Sequence, residues 1–420
     1  MREMKDSGVA WIGAVPSDYR IASIGSLFTI KKDIIGREPE TVLSITQTGI
    51  RPKDLSSNEG QNASSYAHYQ IVNVGDFAMN HMDLLTGWID ISKYEGVTSP
   101  DYRVFSLNDK EMSADYFLRL FQYYYTNKVF FGFGQGVATL GRWRLPAINF
   151  KKIDIPVPPI LEQQRIVVAI DEKVGKVDTL ISNVQTQIEK LKAYKQSLIT
   201  EVVTKGLDRT VPMKDSGVEW IGQIPAHWDI AKLRTRTKML TPMRDKPEDL
   251  SGPIPWVRIE DYCGKYITAS KEQLGVSAET VAAMNLKVYP VGTVLCTSSC
   301  DLGKCAIVGK ELVSNQRFIG IIPQLDLSSN YLYYLMLSNS ERLNTLSTGS
   351  IQANLSRVSF EQLFVQFPPL EEQEELSAYL DTKCEATDRL IAIKQSKIEK
   401  LEQYKKSLIY EYVTGKREVM

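Results

Sequence analysis

Three cysteines in the second half of the chain, Cys296, Cys300 and Cys305, come nearest to the residue types of a metal site. A structural zinc ion needs four ligands, usually in closely spaced pairs. These cysteines are widely spaced, no fourth ligand is evident, and the chain has only three histidines. We therefore expect no metal site, and the odd total of five cysteines predicts reduced thiols rather than disulfides.

The segment FFGFG at 130–134 fits the F-x-G-x-G pattern of the cofactor loop in methyltransferases. Amino-methylating enzymes also need an Asn or Asp before a Pro-Pro-aromatic sequence, because its polar side chain and a backbone carbonyl bind the target amine. Val157 and Phe367 precede the two Pro-Pro pairs of this chain. A glycine loop alone is a weak signal, so we expect no cofactor site here.

Two other catalytic patterns are incomplete. The Gly-Lys pairs of the chain are never followed by Ser or Thr, which the nucleotide-binding loop GxxxxGK[ST] requires. Asp171, Glu172 and Lys173 have the letters of a nuclease metal site, but they fall within a helical pattern rather than on a strand. The sequence therefore predicts a protein without catalytic residues.

Side chains suited to reading nucleic acid concentrate in the loops. Arginine can bond in a bidentate manner to guanine, and glutamine or asparagine to adenine, whereas lysine and serine chiefly hold phosphates. Any one such residue is more often solvated surface, so only the whole set has weight. The DNA-binding candidates are Lys31, Arg37, Arg51, Gln61, Tyr66, Gln135, Arg142 and Arg144 in the first half, and Arg244, Lys246, Arg258, Ser299, Lys304, Gln316, Arg317, Gln352, Asn354 and Arg357 in the second.

The net charge of the chain is zero, because 50 basic residues balance 50 acidic ones. Such a balance provides no long-range attraction to nucleic acid, although positive charge can still collect on one face. We therefore expect weak DNA binding by the isolated chain.

The elements that must position these loops occur twice. Residues 4–13 read MKDSGVAWIG and residues 213–222 read MKDSGVEWIG, so nine of ten positions match. A longer pair, 158–206 and 368–416, ends in IEKLKAYKQSLITEVVT and IEKLEQYKKSLIYEYVT. The spacing is 209 residues (4 to 213) for the first pair and 210 (158 to 368) for the second, which chance does not produce. The chain is therefore a duplicated frame.

The longer repeats predict two long helices. Apolar residues recur at steps of three and four, as in a coiled-coil seam, with polar residues on the other faces. A Pro-Pro pair precedes each helix, and Gly206 and Gly415 stand where each should end. Roughly 40 helical residues at ~1.5 Å each form a rod of about 60 Å. The seam residues are Ile181, Ile188, Leu191, Leu198, Ile391, Ile398, Leu401 and Leu408.

Between the repeats lie two inserts, 17–157 and 226–367, that are equal in scale but differ in sequence. Each alternates short strand-like segments with glycines, which indicates an α+β fold. Neither helical seam can stay exposed, so we expect the two helices to pack on each other. The predicted fold is two mixed α/β domains joined by two long antiparallel coiled-coil helices, with pseudo-twofold internal symmetry. The predicted strands are 41–45, 69–72, 76–80, 102–107, 256–259, 293–297, 305–308 and 318–322, and the short helices are 113–127 and 329–345.

The corresponding domain bounds are 1–157 for the first mixed α/β domain, 158–206 for the first helix, 207–367 for the second domain and 368–420 for the second helix. No apolar run approaches the ~18–20 residues that span a bilayer. The start of the chain lacks the apolar stretch of a signal peptide. We therefore expect a cytoplasmic protein without membrane contact.

This plan resembles the specificity subunits of Type I restriction-modification systems over nearly the whole chain. The resemblance rests on the paired MKDSGVxWIG segments, the PP-x-x-EQ sequences at 158–163 and 368–373, and the LxxYKxSLIxExVT sequences at 191–204 and 401–414. The full set is specific, whereas a single PP-x-x-EQ would not be.

The resemblance implies that each recognition domain reads one half of a bipartite double-stranded DNA target. It also implies that the helices dock two modification subunits, which use S-adenosylmethionine to methylate adenine N6. Restriction (translocase) subunits that need ATP and Mg would complete the assembly, and no cofactor is implied in this chain. Because recognition domains vary among members, the loop candidates rest on residue chemistry alone. Two other functions stay open: a self-contained DNA methyltransferase and a coiled-coil scaffold whose domains bind proteins.

Overall fold

The computed structural model of the chain describes residues 2–55, 63–136, 143–243, 245–299, 302–324, 326–346 and 355–419. The chain forms two compact units. Unit 1 comprises Met1–Gln185 and Ser396–Met420, and unit 2 comprises Thr186–Gln395. Each unit therefore holds one insert, one short repeat and part of each long repeat. The linear division of the chain at 157, 206 and 367 stays a prediction.

Unit 1 is built around a four-stranded antiparallel sheet with the order Phe28–Lys31, Arg103–Leu107, Phe77–Met79, Ile89–Ile91. The helix Ala114–Thr126 contributes to the same core. Its other strands are Met4–Asp6 with Ala14–Pro16, Arg20–Ser23 with Asp154–Val157, Leu43–Thr46 with Gly49–Pro52, and Gln70–Val72 with Gly96–Thr98. Its remaining short helices are Ile24–Leu27, Val129–Gly132 and Ala147–Lys151.

Aromatic side chains fill the core of unit 1. Phe77 stacks on Phe105 across the sheet with ring centroids 5.2 Å apart, and Phe28 meets both rings edge to face. Phe121 from the helix packs on the same cluster. Burying one such side chain contributes about 1.5–3 kcal/mol, so this cluster anchors the sheet to the helix.

Unit 2 contains a five-stranded sheet with the order Thr237–Leu240, Phe318–Pro323, Val294–Thr297, Cys305–Val308, Tyr266–Ile267. A second sheet has the order Gly275–Val276, Ile254–Val257, Val313–Ser314. The remaining strand pairs are Met213–Asp215 with Gln223–Pro225 and Asp229–Lys232 with Phe364–Phe367. Short helices are Leu233–Thr235, Ile259–Asp261, Ala278–Ala283, Ser329–Ser338, Ser340–Leu346 and Arg357–Glu361.

The two inserts share a topology that their sequences do not reveal. In unit 1 the strand Phe28–Lys31 is followed across the sheet by Arg103–Leu107, Phe77–Met79 and Ile89–Ile91. In unit 2 the strand Thr237–Leu240 is followed in the same way by Phe318–Pro323, Val294–Thr297 and Cys305–Val308, and Tyr266–Ile267 adds a fifth strand. The antiparallel pair Phe28–Lys31 with Arg103–Leu107 thus corresponds to Thr237–Leu240 with Phe318–Pro323. The duplication therefore extends through the recognition domains.

The strand predicted at 256–259 is wrong in its bounds, because the observed strand is Ile254–Val257. The chain then turns into a 3-10 helix, Ile259–Asp261. The buried carboxylate of Asp261 accepts a hydrogen bond of 2.7 Å from the backbone N–H of Arg258 and so stabilises the turn.

The helix predicted at 329–345 is also wrong, because it consists of two helices, Ser329–Ser338 and Ser340–Leu346. Asn339 lies between them, and its side-chain amide donates to the carbonyl of Leu335 at 2.8 Å. An asparagine that bonds to the preceding turn commonly ends a helix.

The two long helices are confirmed as Ile160–Lys205 and Leu370–Val413. Each begins directly after its Pro-Pro pair. Gly206 and Gly415 follow their C-terminal ends with φ of 71° and 70°, a left-handed conformation that favours glycine. Of the helices in the described parts of the chain, none is both long enough and apolar enough to cross a membrane.

Within each unit the two long helices touch. In unit 2, Lys195 Nζ lies 2.7 Å from an Asp388 oxygen and Lys394 Nζ lies 2.6 Å from Gln187 Oε1, so the contacts advance in opposite directions along the two helices. In unit 1, Lys405 Nζ lies 2.6 Å from Asp178 Oδ1. Exposed ion pairs of this kind contribute little, about 0–1 kcal/mol each, so the apolar seam must supply most of the stability.

The predicted seam residues lie away from solvent. Leu408 belongs to the core of unit 1 together with Ile170, and Ile199 and Val203 belong to the core of unit 2 although the seam pattern omitted them. Of the predicted seam residues, those buried are Ile188, Ile398 and Leu408, and those half-buried are Ile181, Leu191, Leu198, Ile391 and Leu401.

The glutamine of each PP-x-x-EQ sequence joins its long helix to its recognition domain. Gln163 Nε2 donates to the carbonyl of Pro158, and Gln163 Oε1 accepts from the backbone N–H of Ser113, both at 2.9 Å. Gln373 makes the same two bonds, to the first proline of its own pair and to Ser328, again at 2.9 Å. Ser113 and Ser328 are the N-cap residues of the two domain helices.

The glutamate of the same sequence binds an aromatic residue that follows the MKDSGVxWIG repeat of the same unit. Glu162 accepts a hydrogen bond of 2.8 Å from the Tyr19 hydroxyl, and Glu372 accepts one of 2.9 Å from the Trp228 indole. These contacts explain why both letters of the EQ pair recur in the two copies.

A tyrosine of each domain helix satisfies the end of a long helix. The Tyr116 hydroxyl lies 2.9 Å from the carbonyl oxygen of Val413, and the Tyr331 hydroxyl lies 3.4 Å from that of Val203. Carbonyls in the last turn of a helix have no partner inside the helix, so these hydroxyls supply one.

Candidate nucleic-acid interface

Two candidate side chains of unit 1, those of Lys31 and Arg144, lie at one edge of its four-stranded sheet. Lys31 ends the first strand and Arg103 begins its neighbour, while the third strand ends at Met79. The register pairs Arg103 with Met79 and Val104 with Lys31, so these positions lie side by side. The loops that leave this edge therefore share one surface.

A cleft of about 510 Å³ opens at this edge, and we call it the basic cleft. Its lining includes Lys31, Lys32, His81, Arg103 and Arg144. None of its lining residues in the described part of the chain is acidic. In a chain with equal numbers of acidic and basic residues, this is a local excess of positive charge.

Arg103 forms the buried part of the basic cleft, with only 4% of its surface exposed. Its Nη2 donates to the carbonyl of Leu145 at 2.7 Å, and its guanidinium lies 4.7 Å from the ring centre of Phe150. Burial lowers the pKa of Arg103 to about 10, so the group stays charged at neutral pH. Its Nη1 is buried without a hydrogen-bond partner among the described residues.

The pKa of His81 in the basic cleft lies well below its usual value. Burial, and then the charges of Arg103, Arg144 and Lys32, lower the pKa of His81 to about 3. The imidazole is therefore neutral at physiological pH. Lys31 differs from its neighbours, because its Nζ lies 2.6 Å from the Asp76 carboxylate and its charge is locally balanced.

The other described candidates of unit 1 lie at the surface. Arg37 and Arg51 are exposed, and Tyr66 is half-buried with its ring 5.0 Å from that of Tyr69. Gln135 is exposed and exchanges two backbone hydrogen bonds with Arg144, so it lies beside the basic cleft. The candidates Gln61 and Arg142 lie outside the described residues.

Unit 2 places its candidates at the corresponding edge of its own sheet. The strands there end at Leu240 and Thr297 and begin at Cys305 and Phe318. The described candidates in the loops from this edge are Lys246, Ser299, Lys304, Gln316 and Arg317. Lys246, Lys304, Gln316 and Arg317 are exposed and Ser299 is half-buried. The candidates Arg244, Gln352 and Asn354 lie outside the described residues.

Two further candidates already bind carboxylates. Arg258 lies 2.7 Å from Glu272 and 4.0 Å from Glu260, and the hydrogen bond to Glu272 raises the pKa of Arg258 above its usual value. Arg357 lies 2.6 Å from Glu361 on the next turn of its helix. A phosphate would have to compete with these acids for Arg258 and Arg357.

The second glycine of FFGFG, Gly134, accommodates a tryptophan. Trp143 Nε1 donates to the carbonyl of Phe131 at 2.8 Å, and the two rings stack with centroids 4.9 Å apart. A Cβ atom on Gly134 would lie 2.3 Å from Trp143 Nε1. The absence of a side chain at Gly134 is thus used to pack Trp143.

The cysteine pair at the edge of unit 2 is a buried thiol pair. Cys296 and Cys305 are opposite one another in neighbouring strands, and both are free. Burial raises the pKa of the Cys305 thiol well above its usual value, so it stays protonated. Cys300 lies outside the described residues, and the described ones contain no group of three or more His, Cys, Asp or Glu that could hold a metal ion.

Sequence reasoning missed Arg103 and His81. The segment from 102 to 107 was predicted as a strand, and an arginine next to its first residue is an unusual choice for a buried strand. That charge was the available signal. Lys32 follows Lys31 directly in the sequence, and both residues line the basic cleft.

Comparison with known proteins points to one family. The family model for the Type I restriction modification DNA specificity domain matches residues 229–403. The Type I restriction enzyme MjaIX specificity subunit of Methanocaldococcus jannaschii is 32% identical over 166 residues, which is 38% of this chain and 38% of that protein. The MjaVIII specificity subunit of the same organism is 25% identical over 431 residues, which covers 96% of this chain and 93% of that protein.

Solved structures show the same fold. One similar chain comes from a structural study of complex assembly and conformational transition of the type I R-M system. It superposes with a TM-score of 0.72 at 15% identity, and the match covers 96% of this chain and 99% of that one. The HsdS subunit from Thermoanaerobacter tengcongensis superposes with a TM-score of 0.50 at 15% identity, covering 96% and 98%. With its duplicated frame and mixed helix-and-strand fold, the chain is similar to Type I restriction enzyme specificity subunits over nearly its whole length, and its residues 229–403 match the model of their DNA specificity domain.

Proposed function

We propose that this chain reads a bipartite DNA target, with each recognition domain reading one half. The observation that supports this most directly is the placement of candidate side chains at the same edge of topologically equivalent sheets in the two units. The frame is repeated while the loops at this edge differ in sequence. Such a design suits a protein that presents two unlike readers in one geometry.

The spacing between the half-sites would come from the long helices. Half-sites on one face of B-DNA that lie one helical turn apart are separated by ~34 Å. We propose two mixed α/β recognition domains joined by two long antiparallel coiled-coil helices with pseudo-twofold symmetry, which would keep this separation constant. The opposite direction of the helix contacts within unit 2 supports this arrangement.

Chemistry would reside in partner subunits. We propose that the repeated helices dock two modification subunits that methylate adenine N6 with S-adenosylmethionine, and that restriction subunits using ATP and Mg join them in the cytoplasm. This chain would contribute sequence recognition and no catalytic group. The polar faces of its long helices are exposed and so accessible to a partner subunit.

A mobility-shift assay with the full chain and its modification partner tests the proposal. We expect selective retention of a duplex that carries a split target, and a steep loss of affinity with salt because phosphate contacts release counterions. A complex that binds no DNA would refute DNA recognition and favour a protein-binding scaffold. A bound cofactor in the isolated chain would instead favour a self-contained methyltransferase.

A further inference from the structure

The basic cleft of unit 1 has the composition of an anion site. Lys32 and Arg144 are exposed at the cleft and have no carboxylate partner among the described residues. Arg103 adds a third cation beneath them. Lys31 is neutralised by Asp76, so three positive charges in the cleft lack a counterion.

The buried guanidinium makes the site more than a group of surface cations. Only 4% of the surface of Arg103 is exposed, and its Nη1 has no acceptor among the described residues. A buried donor without a partner costs about 1–3 kcal/mol, more when it is charged. Because Arg103 is shielded from solvent, its charge also acts on the cleft with little screening.

The polar groups of the cleft suit an acceptor-only ligand. The cations offer donors, and the Gln70 amide already donates to the carbonyls of Ser99 and Tyr102 at 2.8 and 2.6 Å. A base edge presents both donors and acceptors, whereas a phosphate presents acceptors alone. The described lining contains no carboxylate that would repel a phosphate.

We propose that the basic cleft binds one phosphate of the DNA backbone, with Lys32 and Arg144 contacting its oxygens and Arg103 stabilising its charge from below. This assignment rests on the proposed DNA-reading function and adds a location to it. The cleft would then fix the position of unit 1 on the duplex, while neighbouring loop residues read bases.

The test measures DNA affinity against salt concentration for the full chain assembled with its modification subunits. Replacing both exposed cations, Lys32→Gln with Arg144→Gln, should reduce the slope of log K against log salt by about 0.9, the value for one phosphate. Affinity should fall about 5-fold at 0.15 M salt, equally for target and non-target duplexes. Lys110→Gln is the matched control, because Lys110 is exposed beyond the other end of the strand Arg103–Leu107 and should leave the slope unchanged.

Three results would overturn the assignment. An unchanged slope would place the phosphate elsewhere, and a loss confined to target duplexes would indicate base reading. A thermal stabilisation of the full chain by inorganic phosphate that depends on Lys32 and Arg144, with no change in the DNA slope, would assign the cleft to free phosphate. The unaltered complex serves as the separate test of DNA binding, since its failure to bind a duplex would refute the proposed function itself.

Discussion

Replacing the glutamine of the PP-x-x-EQ sequence should release the recognition domain from its long helix. Gln163→Met keeps the side-chain length but removes both hydrogen bonds of 2.9 Å. The Pro158 carbonyl is left without a partner in a buried place, which costs about 1–3 kcal/mol, and the half-buried N–H of Ser113 adds about 0.5–1.5 kcal/mol. We expect a total loss of about 1.5–4.5 kcal/mol in the stability of unit 1.

The second copy of the sequence provides an internal comparison. Gln373 Nε2 makes an additional bond of 2.9 Å to the carbonyl of Asp326. Gln373→Met should therefore destabilise unit 2 by about 0.5–1.5 kcal/mol more than Gln163→Met destabilises unit 1. Gln164→Met is the control, because Gln164 is exposed on the same helix and its replacement should change stability by less than about 0.5 kcal/mol.

Native-state hydrogen exchange measures the effect in each unit separately. The helix Ala114–Thr126 should lose protection in Gln163→Met and the helix Ser329–Ser338 should lose it in Gln373→Met, each by the free energies above. If Gln163→Met matched Gln164→Met, the glutamine would not link helix and domain, and the explanation of the repeated motif would fail.

Two further predictions concern the frame. Gly415→Ala should destabilise unit 1 by more than Gly8→Ala, for which we expect a loss of ~1 kcal/mol. Both glycines have φ near 70°, but only at Gly415 would the new Cβ atom lie 2.5 Å from Pro16. Denaturant unfolding measures both losses, and equal losses would contradict the packing argument. Inserting or deleting one heptad within 180–200 should change the spacer length that is recognised and leave the half-site sequences unchanged, as methylation mapping would reveal, whereas an unaltered spacer would rule out the helices as a ruler.

The frame could be predicted from the sequence because repetition and periodicity are local signals. Each signal that marks the long helices acts on residues close to it in the sequence: the Pro-Pro pairs, the apolar residues at steps of three and four, and the glycines Gly206 and Gly415. The sequence therefore predicted where both long helices begin and end. The break at Asn339 depended on a side chain that competes with the backbone, a contest that periodicity does not reveal.

The site could be predicted less completely from the sequence, because it depends on contacts between distant parts of the chain. Arg103 reaches Leu145 and Phe150, more than forty positions away, and this burial makes it the base of the basic cleft. In the sequence Arg258 and Arg357 are equivalent to the other basic candidates, but in the structure they form ion pairs with Glu272 and Glu361. Residue type predicted which side chains could contact DNA, but only the fold distinguishes free cations from paired ones.

Mapping methylated adenines in a genome that carries this gene tests the central claim most directly. The account predicts one split motif with an unspecified gap, and replacement of residues 20–150 by another recognition domain should change only one of its halves. Methylation at a continuous motif, or a change in both halves after that exchange, would contradict the assignment of one half-site to each domain.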